Sequence, residues 1–91
     1  MVYLYDDNRV YAEEEDLLLA EVTFPYINND KVNINHVFVN PRLRGQGVAS
    51  EIMKFTYNFI KTKGLKTTAT CPYAIRWFDK HNEYQDILVK G

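Results

Sequence analysis

The segment spanning residues 31–71 constrains the fold of this chain more than any other part of it. Residues 31–40 have the alternating side chains of a strand, and residues 48–60 place apolar side chains at the spacing of an amphipathic helix. Gly64 is well placed to cap that helix. β-Branched and polar side chains alternate over residues 65–71, which is typical of a strand. A strand, a helix and a strand in this order predict a βαβ unit with a right-handed crossover and two parallel strands.

Further strands are expected before this unit and a second helix after it. Three earlier segments are rich in β-forming residues and are separated by turn residues or by the acidic run 13–16: residues 2–5, 9–13 and 17–26. Apolar residues at helical spacing predict a short helix over residues 73–80, whereas residues 84–89 are compatible with a strand or a loop. The expected fold is mixed α/β, with an antiparallel sheet, a parallel strand pair, one main helix and a short C-terminal helix.

Length, charge and cysteine content narrow the function classes. A chain of 91 residues is expected to form one domain over residues 1–91, because domains usually hold about 100–200 residues. The net charge of −1 removes the global basic field expected of a nucleic-acid-binding protein. One cysteine and two histidines cannot build the usual four-ligand zinc site, so no metal is expected. The longest apolar run, residues 17–20, is far too short to cross a bilayer, so a soluble protein of the reducing cytoplasm is expected.

Residues 31–40 divide into two faces if the strand is continuous. One face would carry Val32, Ile34, His36 and Phe38, and the other Asn33, Asn35, Val37 and Val39. The second face changes from polar to apolar halfway along, which is expected where a strand becomes covered on both sides.

The sharpest functional signal is the sequence Arg-Leu-Arg-Gly-Gln-Gly-Val-Ala at residues 42–49, between the strand and the main helix. Glycines let backbone N–H groups approach an anion closely, and the first turn of a helix leaves its amides without partners. The helix dipole favours negative charge at the same place, and Arg42 and Arg44 add cationic donors. These features predict a site for a pyrophosphate, with a strand–helix turn that binds nothing as the alternative.

Two familiar phosphate-binding loops are excluded by the residues that follow the glycines. The ATPase loop needs Lys and then Ser or Thr after its second glycine, but residues 48–49 are Val-Ala. The dinucleotide fingerprint needs a third glycine where Ser50 stands, and an acidic residue about 20 positions later that residues 65–71 lack. The pattern that remains is R-x-x-G-x-G over residues 42–47.

The block at residues 36–49, His-Val-Phe-Val-Asn-Pro-Arg-Leu-Arg-Gly-Gln-Gly-Val-Ala, resembles the acetyl-coenzyme A motif Q/R-x-x-G-x-G/A of the GNAT acetyltransferase superfamily. Cys-Pro-Tyr-Ala at residues 71–74 and Asp-Lys-His-Asn-Glu-Tyr at residues 79–84 resemble the small stand-alone, yjdJ-like branch of that superfamily. These matches stand in the expected order and extend over about residues 11–89. The resemblance implies a single minimal N-acetyltransferase domain with acetyl-coenzyme A (acetyl-CoA) as the acetyl donor.

The resemblance also implies where the coenzyme lies. The strand before the loop would splay from the next parallel strand, and the pantetheine arm would lie in the gap against the backbone of Val37, Phe38 and Val39. The pyrophosphate would be held by the amides and side chains of the loop, namely Arg42, Arg44, Gly45, Gln46, Gly47, Val48 and Ala49. Tyr73 and Lys80 are further coenzyme-binding candidates.

Cys71 and His36 are the candidate catalytic residues, because the strands that carry them should be adjacent and parallel. Histidine is suited to act as a general base near neutral pH, although His36 as a satisfied, half-buried histidine is the alternative. The backbone of Cys71 is held extended by the proline that follows it. Cys71 could accept the acetyl group as a thiolate or give a proton to coenzyme A, and a small buried hydrophobe is the alternative.

The leading hypothesis is an acetyl-CoA-dependent N-acetyltransferase that acts on an unidentified amine. A module that binds acyl-CoA without efficient turnover is the alternative from another class. A nucleic-acid or protein-interaction module that uses Arg42 and Arg44 is disfavoured by the net charge of −1, and no membrane partner is expected. Larger members of the family have acceptor-site helices after their first strand, for which residues 6–9 leave no room. The acceptor site would therefore be open, or completed by a second subunit in an oligomer.

Overall fold

The computed structural model describes residues 1–89. In chain order, the strands are β1 (Leu4–Asp6), β2 (Arg9–Glu14), β3 (Leu17–Thr23), β4 (Tyr26–Asn28), β5 (Lys31–Ile34), β6 (His36–Val39) and β7 (Lys66–Ala69). The α-helices are α1 (Val48–Thr62), between β6 and β7, and α2 (Pro72–Lys80), and short 3-10 helices cover Pro41–Leu43 and Asn82–Ile87. Over the residues described, no helix is long and apolar enough to span a membrane.

The strands form two hydrogen-bonded sheets. Two stretches of the chain bend and pass from one sheet into the other. The first sheet has the antiparallel order β1-β2-β3-β6, and the second has the order β4-β5-β7. β4 continues the path of β3 beyond Pro25, and β6 continues that of β5 beyond Asn35. β5 pairs in parallel with β7 as far as Ile34 and Ala69, after which β6 pairs with β3 instead. The expected mixed α/β fold with a splayed parallel strand pair is therefore confirmed.

The expectation of one continuous strand over residues 31–40 is wrong, because a β-bulge interrupts it at Asn35. The backbone N–H of Asn35 donates to the carbonyl of Thr23 at 3.2 Å, and His36 is the register partner of the same threonine. The extra residue reverses the alternation, since successive side chains of a strand point to opposite faces. One buried face therefore runs from β5 into the valines of β6, and His36 is exposed. The change from polar to apolar residues along the sequence marks this bulge and not a strand covered on both faces.

Two other boundaries differ from the sequence expectation. The strand predicted over residues 17–26 is broken around Pro25, since proline cannot donate to the hydrogen-bond ladder. The tail at residues 84–89 is neither a full strand nor an irregular loop. It belongs first to a 3-10 helix and then meets β7 through an isolated bridge between Leu88 and Thr67.

The core lies between a layer of helices, mainly α1, and one face of the two sheets. α1 begins and ends where its sequence pattern predicts, and Gly64 after it adopts a φ of 71°, in the left-handed region that suits a helix cap. Burial of apolar surface from water is the main stabilising term. The largest side chains that are fully enclosed come from both layers: Phe24, Ile34, Ile52, Met53, Ile60 and, from α2, Phe78.

Polar contacts fasten the C-terminal 3-10 helix to α1. The Tyr57 hydroxyl donates to Asp86 Oδ1 at 2.7 Å, and Lys61 Nζ lies 2.9 Å from Asp86 Oδ2. Hydrogen bonds from Lys61 and Tyr57 lower the pKa of Asp86, and those with Asp86 and Tyr57 raise the pKa of Lys61 to about 12. Because the carboxyl pKa is lower in the folded chain, its contribution is present above about pH 4 and is lost as the pH falls further.

Candidate functional site

The loop between β6 and α1 is shaped by one side-chain cap and two glycines. Asn40 Oδ1 accepts the backbone N–H of Arg42 at 3.0 Å at the start of the 3-10 helix. Gly45 and Gly47 adopt φ values of 82° and 77°, in the left-handed region that other residues seldom enter. An added Cβ on either glycine would meet no atom within 4 Å, so backbone conformation and not crowding requires them. α1 begins directly afterwards, at Val48.

The loop and the first turn of α1 present amides without partners. Five backbone N–H groups of this segment have no acceptor within residues 1–89: those of Gly45, Gly47, Val48, Ala49 and Ser50. The amides of Arg44 and Gln46 donate to loop carbonyls over 3.3 and 3.4 Å. The free amides lie at the positive end of the dipole of a 15-residue helix, where an anion is favoured.

A depression of about 170 Å³ is lined by this loop and by its two neighbouring elements. Val39 contributes from the end of β6, Arg44 from the loop and Tyr73 from the first turn of α2. Seven of the residues that the sequence assigns to the coenzyme thus converge on one place: Val39, Arg44, Gly45, Gly47, Val48, Ala49 and Tyr73.

Tyr73 is held beside the loop because α2 is fastened to α1. Trp77 Nε1 donates to Ser50 Oγ at 2.9 Å, and the Trp77 ring stacks on His81 and Tyr84. Burial raises the pKa of Tyr73, although the charge of the neighbouring arginine of α2 lowers it in part. The phenol therefore stays protonated at neutral pH and keeps its hydrogen available for donation.

Three of the sequence candidates from the loop and α2 are not brought into this depression. Arg42 lines a separate depression with Glu14, because two residues of a tight 3-10 turn project in different directions. The Gln46 side chain turns back and donates to the carbonyl of Arg42 at 3.3 Å. Lys80 is exposed at the end of α2, seven residues beyond Tyr73 and thus about 10 Å farther along the helix axis.

The edge of β6 that faces away from β3 is open. The N–H of Asn40 donates to the carbonyl of Leu19 at 2.8 Å, and backbone groups of a strand alternate between its two edges. The backbone groups of Val37 and Val39 therefore point away from β3, whereas those of Phe38 face it. No strand in the described part of the chain pairs with the open edge. The pairing with β7 ends at Ile34 and Ala69, and we call the gap between β6 and the chain beyond β7 the cleft.

Ile34 and Cys71 lie at the base of this cleft. The carbonyl of Ile34 accepts the N–H groups of Thr70 and Cys71 at 3.1 and 3.2 Å. Cys71 comes two residues after β7 and not at its end, which corrects the sequence expectation, and it immediately precedes α2. It is 9% exposed, and its thiol has no hydrogen-bond partner within residues 1–89.

His36 lies on the face of the sheet opposite α1, and no hydrogen bond joins it to Cys71 in the described residues. Its Nε2 is 3.6 Å from Glu21 Oε1, and Glu21 Oε2 also accepts a hydrogen bond from Arg9 Nε. The sequence reasoning missed Glu21. Its only signal was a polar residue within an otherwise apolar strand, and its partner depends on a register that the bulge at Asn35 sets.

Comparisons with known proteins point to one family. The family model described as GCN5-related N-acetyl-transferase matches residues 9–87. No curated protein sequence matches the chain. A GCN5-like protein from Staphylococcus aureus, solved by NMR, is 30% identical and has a TM-score of 0.80, and the match covers 99% of this chain and 89% of that one.

More distant solved structures share the fold. The ribosomal-protein-S18-alanine N-acetyltransferase from Escherichia coli is 13% identical with a TM-score of 0.63. A predicted acetyltransferase from Clostridium acetobutylicum, solved with acetyl-CoA, is 19% identical with a TM-score of 0.59. These matches cover 86% and 80% of this chain but only 50% and 55% of the other chains, so this chain spans about half of their length.

Proposed function

Because the chain belongs to the GCN5-related N-acetyltransferase family, we propose that it binds acetyl-CoA and transfers the acetyl group to an amine. The observation that carries this proposal is the convergence of free amides, Arg44 and Tyr73 on one depression beside the open edge of β6. The Clostridium acetobutylicum neighbour, solved with acetyl-CoA, supports the same donor. Residues 1–91 act as one minimal transferase domain.

The donor binds along the loop and the cleft. Its pyrophosphate accepts hydrogen bonds from the free amides at the start of α1, and Arg44 adds a charge-assisted bond. Its pantetheine arm lies in extended form against the backbone groups of Val37 and Val39. Its thioester reaches the base of the cleft, near Ile34 and Cys71.

Acetyl transfer needs a base, a donor to the oxyanion and an acid. His36 takes a proton from the acceptor ammonium, and the neutral amine attacks the thioester carbonyl carbon. A free amide of β6 donates to the oxyanion as the C–N bond forms. The C–S bond then breaks, the leaving thiolate takes a proton from Cys71, and the proton that the nitrogen loses returns to Cys71. One proton per turnover passes through His36 to the solvent.

Thermal melting with acetyl-CoA tests the binding step. A ligand at about 100 times its Kd adds roughly 2.7 kcal/mol to the stability of the folded state, which for a chain of this size raises Tm by about 10–20 °C. Arg44→Ala should weaken binding about 10- to 100-fold, because a charged hydrogen bond to phosphate contributes about 1.5–3 kcal/mol. Isothermal titration with acetyl-CoA measures the same loss directly.

Arg42→Ala is the matched control for this measurement. The same side chain is removed two positions earlier, and Kd should change less than about threefold because Arg42 lines the other depression. Equal losses in the two variants would show that the loop attracts its ligand by overall charge and not by the geometry described above. No rise in Tm with acetyl-CoA or coenzyme A would contradict the proposed function itself.

Cys71→Ala should lower turnover about 10- to 100-fold and leave the rise in Tm with acetyl-CoA unchanged, because a proton donor contributes to the transition state and not to donor binding. Turnover is measured as release of coenzyme A thiol with spermidine or a lysine-containing peptide as the amine. Acetyl-CoA alone should leave Cys71 unlabelled in intact-protein mass spectrometry. A stable acetyl group on Cys71 would instead establish a covalent intermediate.

A binding module that holds acyl-CoA without efficient turnover is the second candidate. It is favoured by the burial of Cys71 and by the lack of a hydrogen bond between Cys71 and His36 within residues 1–89. A normal rise in Tm with acetyl-CoA, together with no acetylation of a broad panel of amines, would favour this candidate.

A further inference from the structure

Three charged or titratable side chains form a cluster on the sheet face opposite α1. Arg9, Glu21 and His36 come from β2, β3 and β6, and we call them the Arg9–Glu21–His36 cluster. Arg9 and His36 are both register partners of Thr23, and Glu21 lies two residues before it on the same strand. The cluster therefore bridges three strands, and its last member directly follows the bulge at the open cleft.

Glu21 is the fixed member of this cluster. Its side chain is 17% exposed, against 30% for Arg9 and 52% for His36. Arg9 Nε donates to Glu21 Oε2, and the Arg9 guanidinium also lies 3.8 Å from the centre of the Tyr11 ring. These contacts hold Glu21 so that its other oxygen, Oε1, is left to face His36 Nε2 at 3.6 Å.

The geometry points to Glu21 as the positioning residue of the general base His36. This inference rests on the proposed function and adds to it a residue that touches neither donor nor acceptor. A carboxylate accepts hydrogen bonds and cannot donate them, so Glu21 favours the neutral imidazole tautomer that carries its proton on Nε2. The lone pair on Nδ1 is then free to take the proton of the acceptor ammonium.

Glu21 also balances the charge that this step creates. Once Nδ1 has taken the proton, the imidazolium lies beside a carboxylate that is already anchored by Arg9. The carboxylate keeps the orientation of the ring until the proton leaves to the solvent through the exposed side of the ring. The amine nitrogen supplies the proton and the solvent receives it, so Glu21 is unchanged over a turnover.

Glu21→Gln tests the inference, because it removes the charge and keeps the shape. With spermidine or a lysine-containing peptide as the acceptor, kcat should fall about 10- to 100-fold, while the KM for acetyl-CoA stays within about twofold. Glu21→Asp should recover part of the loss. Glu13→Gln is the matched control, since it removes an exposed carboxylate from β2 and should leave kcat unchanged.

The double variant Glu21→Gln with His36→Ala separates positioning from other effects. If Glu21 acts through His36, the double variant should have the kcat of His36→Ala alone. A further loss in the double variant would overturn the inference. Full activity of His36→Ala would also overturn it, whereas the rise in Tm with acetyl-CoA would still support donor binding.

Nitrogen-15 NMR of the imidazole rings detects the contact between Glu21 and His36 without any amine substrate. The chain has two histidines, and the signals of His36 should move in Glu21→Gln. His81 is the internal control, because its Nδ1 lies 2.7 Å from the Trp77 carbonyl, far from the substitution in the chain. If wild type acetylates neither amine, unchanged His36 signals overturn the inference, and a selective change at His36 supports it.

Discussion

Replacing Gly47 by aspartate should remove most of the stabilisation by acetyl-CoA while the chain still folds. The carboxylate would stand at the start of α1, among the free amides that are proposed to hold the pyrophosphate. Like charges brought together in this way cost several kcal/mol, so Kd should rise by about 100-fold or more. At a fixed ligand concentration of about 100 times the wild-type Kd, the rise in Tm should shrink to roughly 2–3 °C.

Gly47→Asn is the control for shape and backbone strain. Both substitutions place a side chain at a φ of 77°, and aspartate and asparagine tolerate this region better than most residues. Each variant without ligand should therefore lose only about 1–2 kcal/mol of unfolding free energy. The asparagine variant should keep much of its acetyl-CoA binding. Equal binding by both variants would mean that no anion is held at this turn.

Replacing Ile34 by alanine should have the largest effect on stability. The side chain is 0% exposed and stands where the parallel strand pair separates. Truncation of a buried isoleucine costs about 2–5 kcal/mol, because the surrounding side chains close the cavity only in part. Thermal unfolding followed by circular dichroism should show Tm lower by about 10–30 °C.

Ile34→Val separates the loss of packing from any change in the backbone. This variant removes one methyl group, keeps the carbonyl that binds the amides of Thr70 and Cys71, and should cost about 0.5–1.5 kcal/mol. Its rise in Tm with acetyl-CoA should equal that of wild type. If the alanine and valine variants have the same Tm, the packing around Ile34 does not hold the two sheets in place.

Local signals made the loop and the helices predictable from the sequence. Gly45 and Gly47 mark the left-handed turns, and the apolar spacing that begins at Val48 marks α1. The break at Asn35 was not predictable in the same way. A bulge shows in a sequence only as a change of phase in the hydrophobic pattern, and a strand covered on both faces produces a similar pattern.

The direction of side chains limited the prediction of the candidate site. Arg42 and Arg44 are the same residue type in the same loop, and only the geometry of the 3-10 helix separates their directions. Glu21 was missed because its neighbour His36 is 15 positions away in the chain and meets it through the register of β3 and β6. Such contacts between distant strands depend on tertiary pairing and leave little trace in local composition.

The open edge of β6 would make the resistance of the chain to proteolysis depend on bound acetyl-CoA. With the donor seated as proposed, the amide groups of its arm take the place of a missing neighbouring strand, and the two sheets are joined by a small molecule. An empty molecule would open there more often and meet proteases more readily. The half-life of the protein inside a cell would then rise and fall with the concentration of acetyl-CoA.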